Sequence, residues 1–230
     1  MNEEQHLVFE KLIEELEREP LPVDPAKSVP EELGDFTVRS LLYALLRYDA
    51  SSAQALNAAG RIRAAVVDLN ELRIAYPDEI AGLLGPRYPG VMARAERIRA
   101  VLSDVFNHEN EVSLARLYEL PKREARTYLE GLVGITPFVA HRVALGVFSI
   151  HCVPVDSRLT EALLAADALD EGTTPADASG SLERAIRATD SWGTFLRLEE
   201  WAEAGGPARR PGRRPSKGTG EPKAPAAKGR

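Results

Sequence analysis

Apolar residues recur at helical spacing along almost the whole chain, and this periodicity restricts the fold to packed helices. The first apolar stripe ends before Pro20 and comprises Leu7, Val8, Leu12, Ile13 and Leu16. Asp35, a residue type that caps helices well, precedes the apolar run from Phe36 to Tyr48. The one short apolar stretch without helical character is 148–155. The pattern therefore predicts an all-α fold without internal repeats.

Two weaker segments have less definite patterns. Residues 66–76 mix apolar and polar side chains without a clear helical period and end before Pro77, so an extended connection is expected there. A short helix is expected over residues 113–117, and Pro121 suits the start of the next helix because a first turn needs no N–H from that residue.

Charge divides the chain more sharply than its net value of −6 suggests. Residues 207–230 carry eight basic residues against one acidic residue, a balance of +7, which leaves 21 basic and 34 acidic residues, a balance of −13, in positions 1–206. The tail holds five prolines and four glycines but no large apolar residue, so we expect it to be disordered. Such tails bind polyanions loosely or only increase solubility. The residues that would contact such a polyanion are Arg209, Arg210, Arg213 and Arg214.

Composition also excludes several classes of protein. The single cysteine, Cys152, rules out an intramolecular disulfide and a metal site built mainly from thiolates. The longest apolar runs fall well short of the roughly 20 residues that cross a bilayer, and the chain starts with acidic rather than basic residues. We expect a cytoplasmic protein without a membrane partner, divided into an N-terminal helix with a proline-rich link (1–34), a helical body (35–206) and the basic tail (207–230).

The segment from 122 to 148 reads as a helix, a tight hairpin and a second helix. Gly134 can adopt the positive φ that such a turn requires. Thr136 is placed to cap the second helix, with Pro137 as its first residue. Unpaired backbone donors at a turn and helix start form an anion site. We therefore expect the main chain of Val133, Gly134, Ile135 and Thr136 to bind a DNA phosphate.

These residues resemble the helix-hairpin-helix (HhH-GPD) DNA glycosylase superfamily, whose best-known type is endonuclease III. In that family a leucine-proline-glycine-apolar-glycine hairpin precedes a buried helix and then a valine-aspartate pair that opens another helix. The matching residues here are Leu132 to Thr136, followed by Val155 and Asp156. The resemblance spans about residues 36–204. It implies a two-lobed helical fold and a monomer that binds double-stranded DNA, damaged or distorted, in association with the nucleoid.

Asp156 is the candidate catalytic residue under this resemblance. Breaking an N-glycosidic bond builds positive charge on the sugar, and a carboxylate in a water-poor pocket stabilises that charge and positions the attacking water. The alternative is that Asp156 caps the helix that follows it. The two roles are compatible.

The chain departs from the family pattern at several positions. Phe138 occupies the position of the lysine that forms a Schiff base in family members that also cut the backbone, so we expect no lyase activity by that route. Thr136 replaces the second hairpin glycine, and Pro137 lacks an N–H. Asp49 stands where a glutamine fills the gap left by a flipped base, and Tyr48 could stack there instead. The alternative is that Tyr48 and Asp49 only end a helix and start a turn. The four cysteines of the iron-sulfur loop are absent, so no such cluster or other cofactor is expected.

Two further contacts complete the expected site. Arg142, one turn after the hairpin, is expected to face solvent and to contact a phosphate. The resemblance also implies a monovalent cation at the backbone carbonyls of Leu132 and Ile135.

The leading hypothesis is a base-excision-repair protein, a monofunctional DNA N-glycosylase that hydrolyses the bond to a damaged or mismatched base. The alternatives are a catalytically inactive endonuclease III-like DNA-binding protein and a helical protein-interaction module that uses the acidic body.

Overall fold

The computed structural model describes residues 3–207, and within them the regular structure is entirely helical. This confirms the all-α prediction. The α-helices are α1 (Glu3–Leu16), α2 (Phe36–Arg47), α3 (Ser52–Ala65), α4 (Leu69–Ile74), α5 (Pro77–Leu84), α6 (Val91–Glu109), α7 (Lys122–Gly131), α8 (Pro137–Phe148), α9 (Ser157–Ala165), α10 (Pro175–Ala185) and α11 (Ser191–Glu203). Short 3-10 helices span Pro25–Ser28, Glu31–Leu33 and Ala115–Glu119.

Side-chain caps fix where several helices begin. Asp35 accepts hydrogen bonds from the backbone N–H groups of Thr37 (2.7 Å) and Val38 (3.1 Å) at the start of α2, as its sequence position predicts. Ser51 and Gln54 form a reciprocal capping box at the start of α3. These caps supply acceptors for donors that a first helical turn leaves unpaired.

The expectation of an extended connection over residues 66–76 is wrong. Its larger part forms α4, because Asp68 accepts from the N–H groups of Asn70 and Glu71 and so starts a helix. Leu69 and Leu72 are buried at helical spacing on its inner face. The helix is a turn and a half long, which is too short for a periodic pattern to stand out in the sequence.

Two apolar clusters divide the described residues into two lobes. The larger cluster is built mainly from α2 to α8 and buries Leu41, Leu42 and Leu45 completely. The smaller cluster contains residues of α1, α9, α10 and α11, including Phe9 and Leu198. Helix α11 contributes residues to both clusters, because its Phe195 belongs to the larger one. None of the helices in the described range combines the length and apolar character needed to span a membrane.

Candidate nucleic-acid interface and carboxylate site

The hairpin forms where the sequence predicts it, between the end of α7 and the start of α8. The N–H of Ile135 donates to the carbonyl of Leu132 at 3.1 Å and closes the turn. Gly134 has φ +83°, and a Cβ atom there would lie 3.2 Å from Cβ of Ala100 on α6. The turn therefore requires glycine both for its backbone conformation and for its close approach to α6.

Within the described part of the chain, only two of the four backbone N–H groups of residues 133–136 are free to bind a ligand. Two donors are already engaged: Ile135 N–H closes the turn, and Val133 N–H donates to Oδ2 of Asp104 at 2.9 Å. The N–H groups of Gly134 and Thr136 have no acceptor among residues 3–207. Gly134 is exposed, and Thr136 caps α8 by accepting from Val139 N–H at 3.4 Å. These two free donors lie on either side of Ile135 in the turn before α8, and backbone N–H groups in such a turn attract anions.

The monovalent cation at the hairpin carbonyls stays a prediction. The Leu132 carbonyl accepts one hydrogen bond in the turn, and a carbonyl oxygen has a second lone pair with which it could hold a cation. Such a site needs no side chain. Within the described residues, no group of three histidine, cysteine or acidic side chains is arranged to hold a metal ion.

Asp156 caps α9 and is buried with 2% of its surface exposed. Its Oδ1 accepts from the N–H of Leu159 at 2.9 Å, while Oδ2 lies 3.2 Å from Nη1 of Arg47 and 3.3 Å from the N–H of Asp49. Asp49 has φ +50°, and its Oδ1 accepts a hydrogen bond from the N–H of Ser157 at 3.0 Å. The ends of α2 and α9 are therefore joined by two carboxylates, each accepting from the other's segment.

A buried ionic network surrounds Asp156 at the junction of the two lobes. Arg47, at the end of α2, has Nε 3.2 Å from Glu199 and Nη2 3.1 Å from Glu203, both on α11. Burial by itself lowers the pKa of Arg47, but the carboxylates of Glu199, Asp156 and Glu203 outweigh that effect and raise it. Arg47 is therefore charged and holds three carboxylates together.

The expectation that Arg142 faces solvent is wrong, so it is not a phosphate contact. Its side chain is 2% exposed and pairs with Asp24 at 3.1 Å and Glu199 at 3.4 Å. Its guanidinium lies 4.5 Å from the centre of the Tyr43 ring. Position 142 follows Phe138 by one helical turn, and both belong to the face of α8 that packs inward.

The space beside Asp156 is a cavity of about 10 Å³, roughly the room for one water molecule. It is lined by Arg47, Phe138, Asp156, Arg158, Leu159, Phe195, Glu199, Ala202 and Glu203. Phe138, at the position of the family's lysine, is 3% exposed and forms part of the wall. In this conformation the cavity is far too small for a nucleobase.

Tyr48 lies half-buried between this cavity region and the surface. Its ring centre is 5.8 Å from that of Phe138, and the guanidinium of Arg97 lies 5.2 Å from it on α6. The buried guanidinium of Arg94 donates to the Tyr48 carbonyl and fixes the backbone there. Tyr48 is thus a supported aromatic ring beside a cation, an arrangement that suits stacking on a base. The tail residues Arg209, Arg210, Arg213 and Arg214 lie outside the described residues.

The residues of this region that were not anticipated include Arg47, Asp104, Glu199 and Glu203. The sequence contained an indication that Arg47 is buried, because this charged residue ends an apolar run on the inward face of α2. An arginine at such a position needs buried acidic partners. Glu199 also faces inward on α11. Leu196 and Leu198 before it are buried, whereas Glu200 after it is exposed. Nothing local to position 104 indicates its contact with the hairpin.

His141 on α8 makes stability depend on pH. Burial lowers its pKa, and the nearby Arg126 lowers it further, while Glu130, with Oε1 3.4 Å from Nε2, acts in the opposite direction. The unfolded chain therefore binds this proton more readily than the folded chain. We expect the free energy of unfolding to fall as the pH drops below about 6.5, the ordinary value for histidine. Urea unfolding at several pH values checks this, and His141→Gln should reduce the slope in that range; an unchanged slope contradicts the assignment.

No family model matches the chain, and no curated protein matches it by sequence. Its structure is similar to that of a non-covalent endonuclease III–DNA complex, with 13% identity, a TM-score of 0.65 and 85% of each chain covered. It is also similar to the Clostridium acetobutylicum 8-oxoguanine glycosylase/lyase in complex with double-stranded DNA (15% identity, TM-score 0.57, 86% of this chain and 71% of that one). A thermostable thymine-DNA glycosylase matches with 14% identity and a TM-score of 0.58, covering 86% of both chains. The protein therefore has the helix-hairpin-helix DNA glycosylase fold.

Proposed function

We propose that this chain is a DNA-binding protein of the base-excision-repair type, which holds the backbone of double-stranded DNA at the hairpin between α7 and α8. The observation that carries the proposal is the pair of free N–H groups at Gly134 and Thr136, on an exposed turn that leads directly into α8. The similar structures named above include complexes with DNA, which supports the same partner. Damaged or distorted DNA is the proposed target, and the protein acts as a monomer at the nucleoid.

Other groups contribute to this face in the proposal. Tyr48 stacks on a base or fills a gap in the duplex, with Arg97 beside it to offset the negative field of the phosphates. The basic tail adds sequence-independent attraction, since the rest of the chain carries a net charge of −13 that would otherwise oppose binding. Deleting the tail should therefore weaken binding and reduce its salt dependence.

Hydrolytic removal of a base is the second candidate function. It is favoured by the position of Asp156, a buried carboxylate beside a cavity that has room for about one water molecule. In this role Asp156 would stabilise positive charge on the sugar and position water. Phe138 has no amine that could form a Schiff base, so we expect no lyase activity by that route and propose a monofunctional reaction. A nucleobase could enter only if Arg47 and α11 moved away from Asp156, because they fill the space that it would occupy.

Base release from duplexes that each carry one lesion or mismatch separates the two functions. If the chain is an enzyme, at least one duplex loses its base, and Asp156→Asn reduces the rate by about 100-fold or more because the charge that stabilises the transition state is gone. Glu203→Gln is a matched control that removes a carboxylate from the same network. Binding without base release on any duplex supports a DNA-binding role alone. Base release that survives in Asp156→Asn rules out the proposed mechanism.

A further inference from the structure

Asp104 on α6 holds the hairpin through its backbone. Its Oδ2 accepts the N–H of Val133 at 2.9 Å, and its side chain is 15% exposed. Val133 stands where the family pattern has proline, a residue without an N–H. This chain therefore has one additional donor at the turn, and the Asp104 carboxylate satisfies it.

The same carboxylate lies beside the proposed phosphate site. Neighbouring backbone nitrogens are less than about 4 Å apart, so Oδ2 is within about 7 Å of the Gly134 N–H. Helix α6 runs directly beneath the turn, where Ala100 approaches Gly134 one helical turn before Asp104. His108 lies 4.0 Å from the other carboxylate oxygen, and Glu96 and Arg99 line the adjoining groove of about 380 Å³.

We propose that Asp104 is an affinity-setting residue of the DNA-backbone site, and this inference rests on the proposed function. Its carboxylate has two opposing effects. It fixes the turn by accepting the Val133 N–H, and it repels the phosphate that Gly134 and Thr136 bind. Oδ2 lies within about 7 Å of the Gly134 N–H, and a hydrogen bond to a phosphate oxygen adds about 3 Å at most. The two charges are therefore separated by a distance comparable to the roughly 8 Å Debye length at physiological ionic strength, so salt screens this repulsion only in part.

The two effects of Asp104 are separable by substitution. Asparagine keeps a carbonyl oxygen that can accept the Val133 N–H but removes the negative charge. Alanine removes both the charge and the acceptor, which leaves the N–H unpaired and loosens the turn. The asparagine variant should therefore bind DNA more tightly than either the wild type or the alanine variant.

The test measures fluorescence anisotropy of a labelled, undamaged duplex titrated with the full-length protein at low and at physiological salt. We expect Asp104→Asn to lower the Kd by about threefold to tenfold at low salt, and less at higher salt. Asp104→Ala should gain less than Asp104→Asn. The matched control is Glu14→Gln, which makes the same change in net charge on an exposed face of α1 in the smaller lobe and should change the Kd by less than about twofold.

The outcomes distinguish this inference from the proposed function. If the wild type binds DNA and Asp104→Asn binds no more tightly, the inference is wrong while the DNA-binding proposal stands. An equal gain in Glu14→Gln also overturns it, because the effect would then come from net charge. If neither the wild type nor Asp104→Asn binds at low salt, both fail. Thermal unfolding of each variant establishes that it is folded, and Asp104→Asn should retain a Tm close to that of the wild type.

Discussion

Replacing Arg47 with alanine is expected to lower the free energy of unfolding by about 3–5 kcal/mol. Arg47 is the shared partner of three carboxylates, of which Asp156 and Glu199 are almost completely buried. Without the guanidinium, Asp156 has no other cation within salt-bridge distance in the described part of the chain, and Glu199 keeps only Arg142. Urea unfolding followed by circular dichroism measures the loss.

Two further variants separate the charge of Arg47 from its packing. Arg47→Met restores most of the volume but not the charge, so it should remain strongly destabilised. Arg63→Ala removes a half-exposed arginine that pairs with the exposed Glu32 at 3.5 Å, and it should cost less than about 1 kcal/mol. A loss in Arg47→Ala no greater than in Arg63→Ala would contradict the network as a stabilising element. Recovery in Arg47→Met would show that packing, not charge, holds the lobes together.

Replacing Gly134 with valine is expected to weaken DNA binding at least about tenfold, which corresponds to about 1.4 kcal/mol. A β-branched residue strongly disfavours φ +83°, and its Cβ would lie 3.2 Å from Cβ of Ala100. The turn must therefore shift, which displaces the N–H groups of Gly134 and Thr136 that bind the phosphate in the proposed function. Fluorescence anisotropy at low salt measures the effect on affinity.

The matched control for this variant is Gly131→Ala. Gly131 is the last residue of α7, and a Cβ there meets no atom within 4 Å, so affinity should stay within about twofold of the wild type. Because the hairpin is at the surface, Gly134→Val should remain folded, with a loss of about 1–3 kcal/mol in the free energy of unfolding. Wild-type affinity in a folded Gly134→Val would exclude the hairpin as the DNA site.

The sequence predicted the features that depend on neighbouring residues. The cap at Asp35, the positive φ at Gly134, the Thr136 cap and the start of α8 at Pro137 are all confirmed. Each of these is set by residues within a few positions of one another, so the local pattern contains the information. The same holds for Asp156, whose capping role is visible in the residues that follow it.

The features that the sequence did not predict depend on contacts between distant residues. Arg47 meets Asp156 across 109 positions, and Arg142 meets Asp24 across 118. Polar residues of this kind are expected at the surface until a partner is known, because burying an unpaired charge is costly. The contact between Asp104 and Val133 depends on how α6 packs under the hairpin, which no local pattern determines.

The ionic network also affects how the glycosylase fold is used in this chain. A preformed base pocket would require open space beside Asp156, but Arg47, Phe138 and Glu199 fill it and leave a cavity of about 10 Å³. Catalysis would therefore require the network to open. The free-energy cost of opening it is related to the loss of unfolding free energy expected in Arg47→Ala. The proposed DNA binding at the hairpin requires no such movement, because the hairpin lies outside this network and its Gly134 is already exposed.

The most direct test of the central claim is a titration of the isotope-labelled protein with a short DNA duplex, followed by backbone amide NMR shifts. We expect the largest shift changes at the amides of Gly134 and Thr136, with smaller changes near Tyr48. Changes confined to α1 or other parts of the acidic surface, or no changes at low salt, would contradict it.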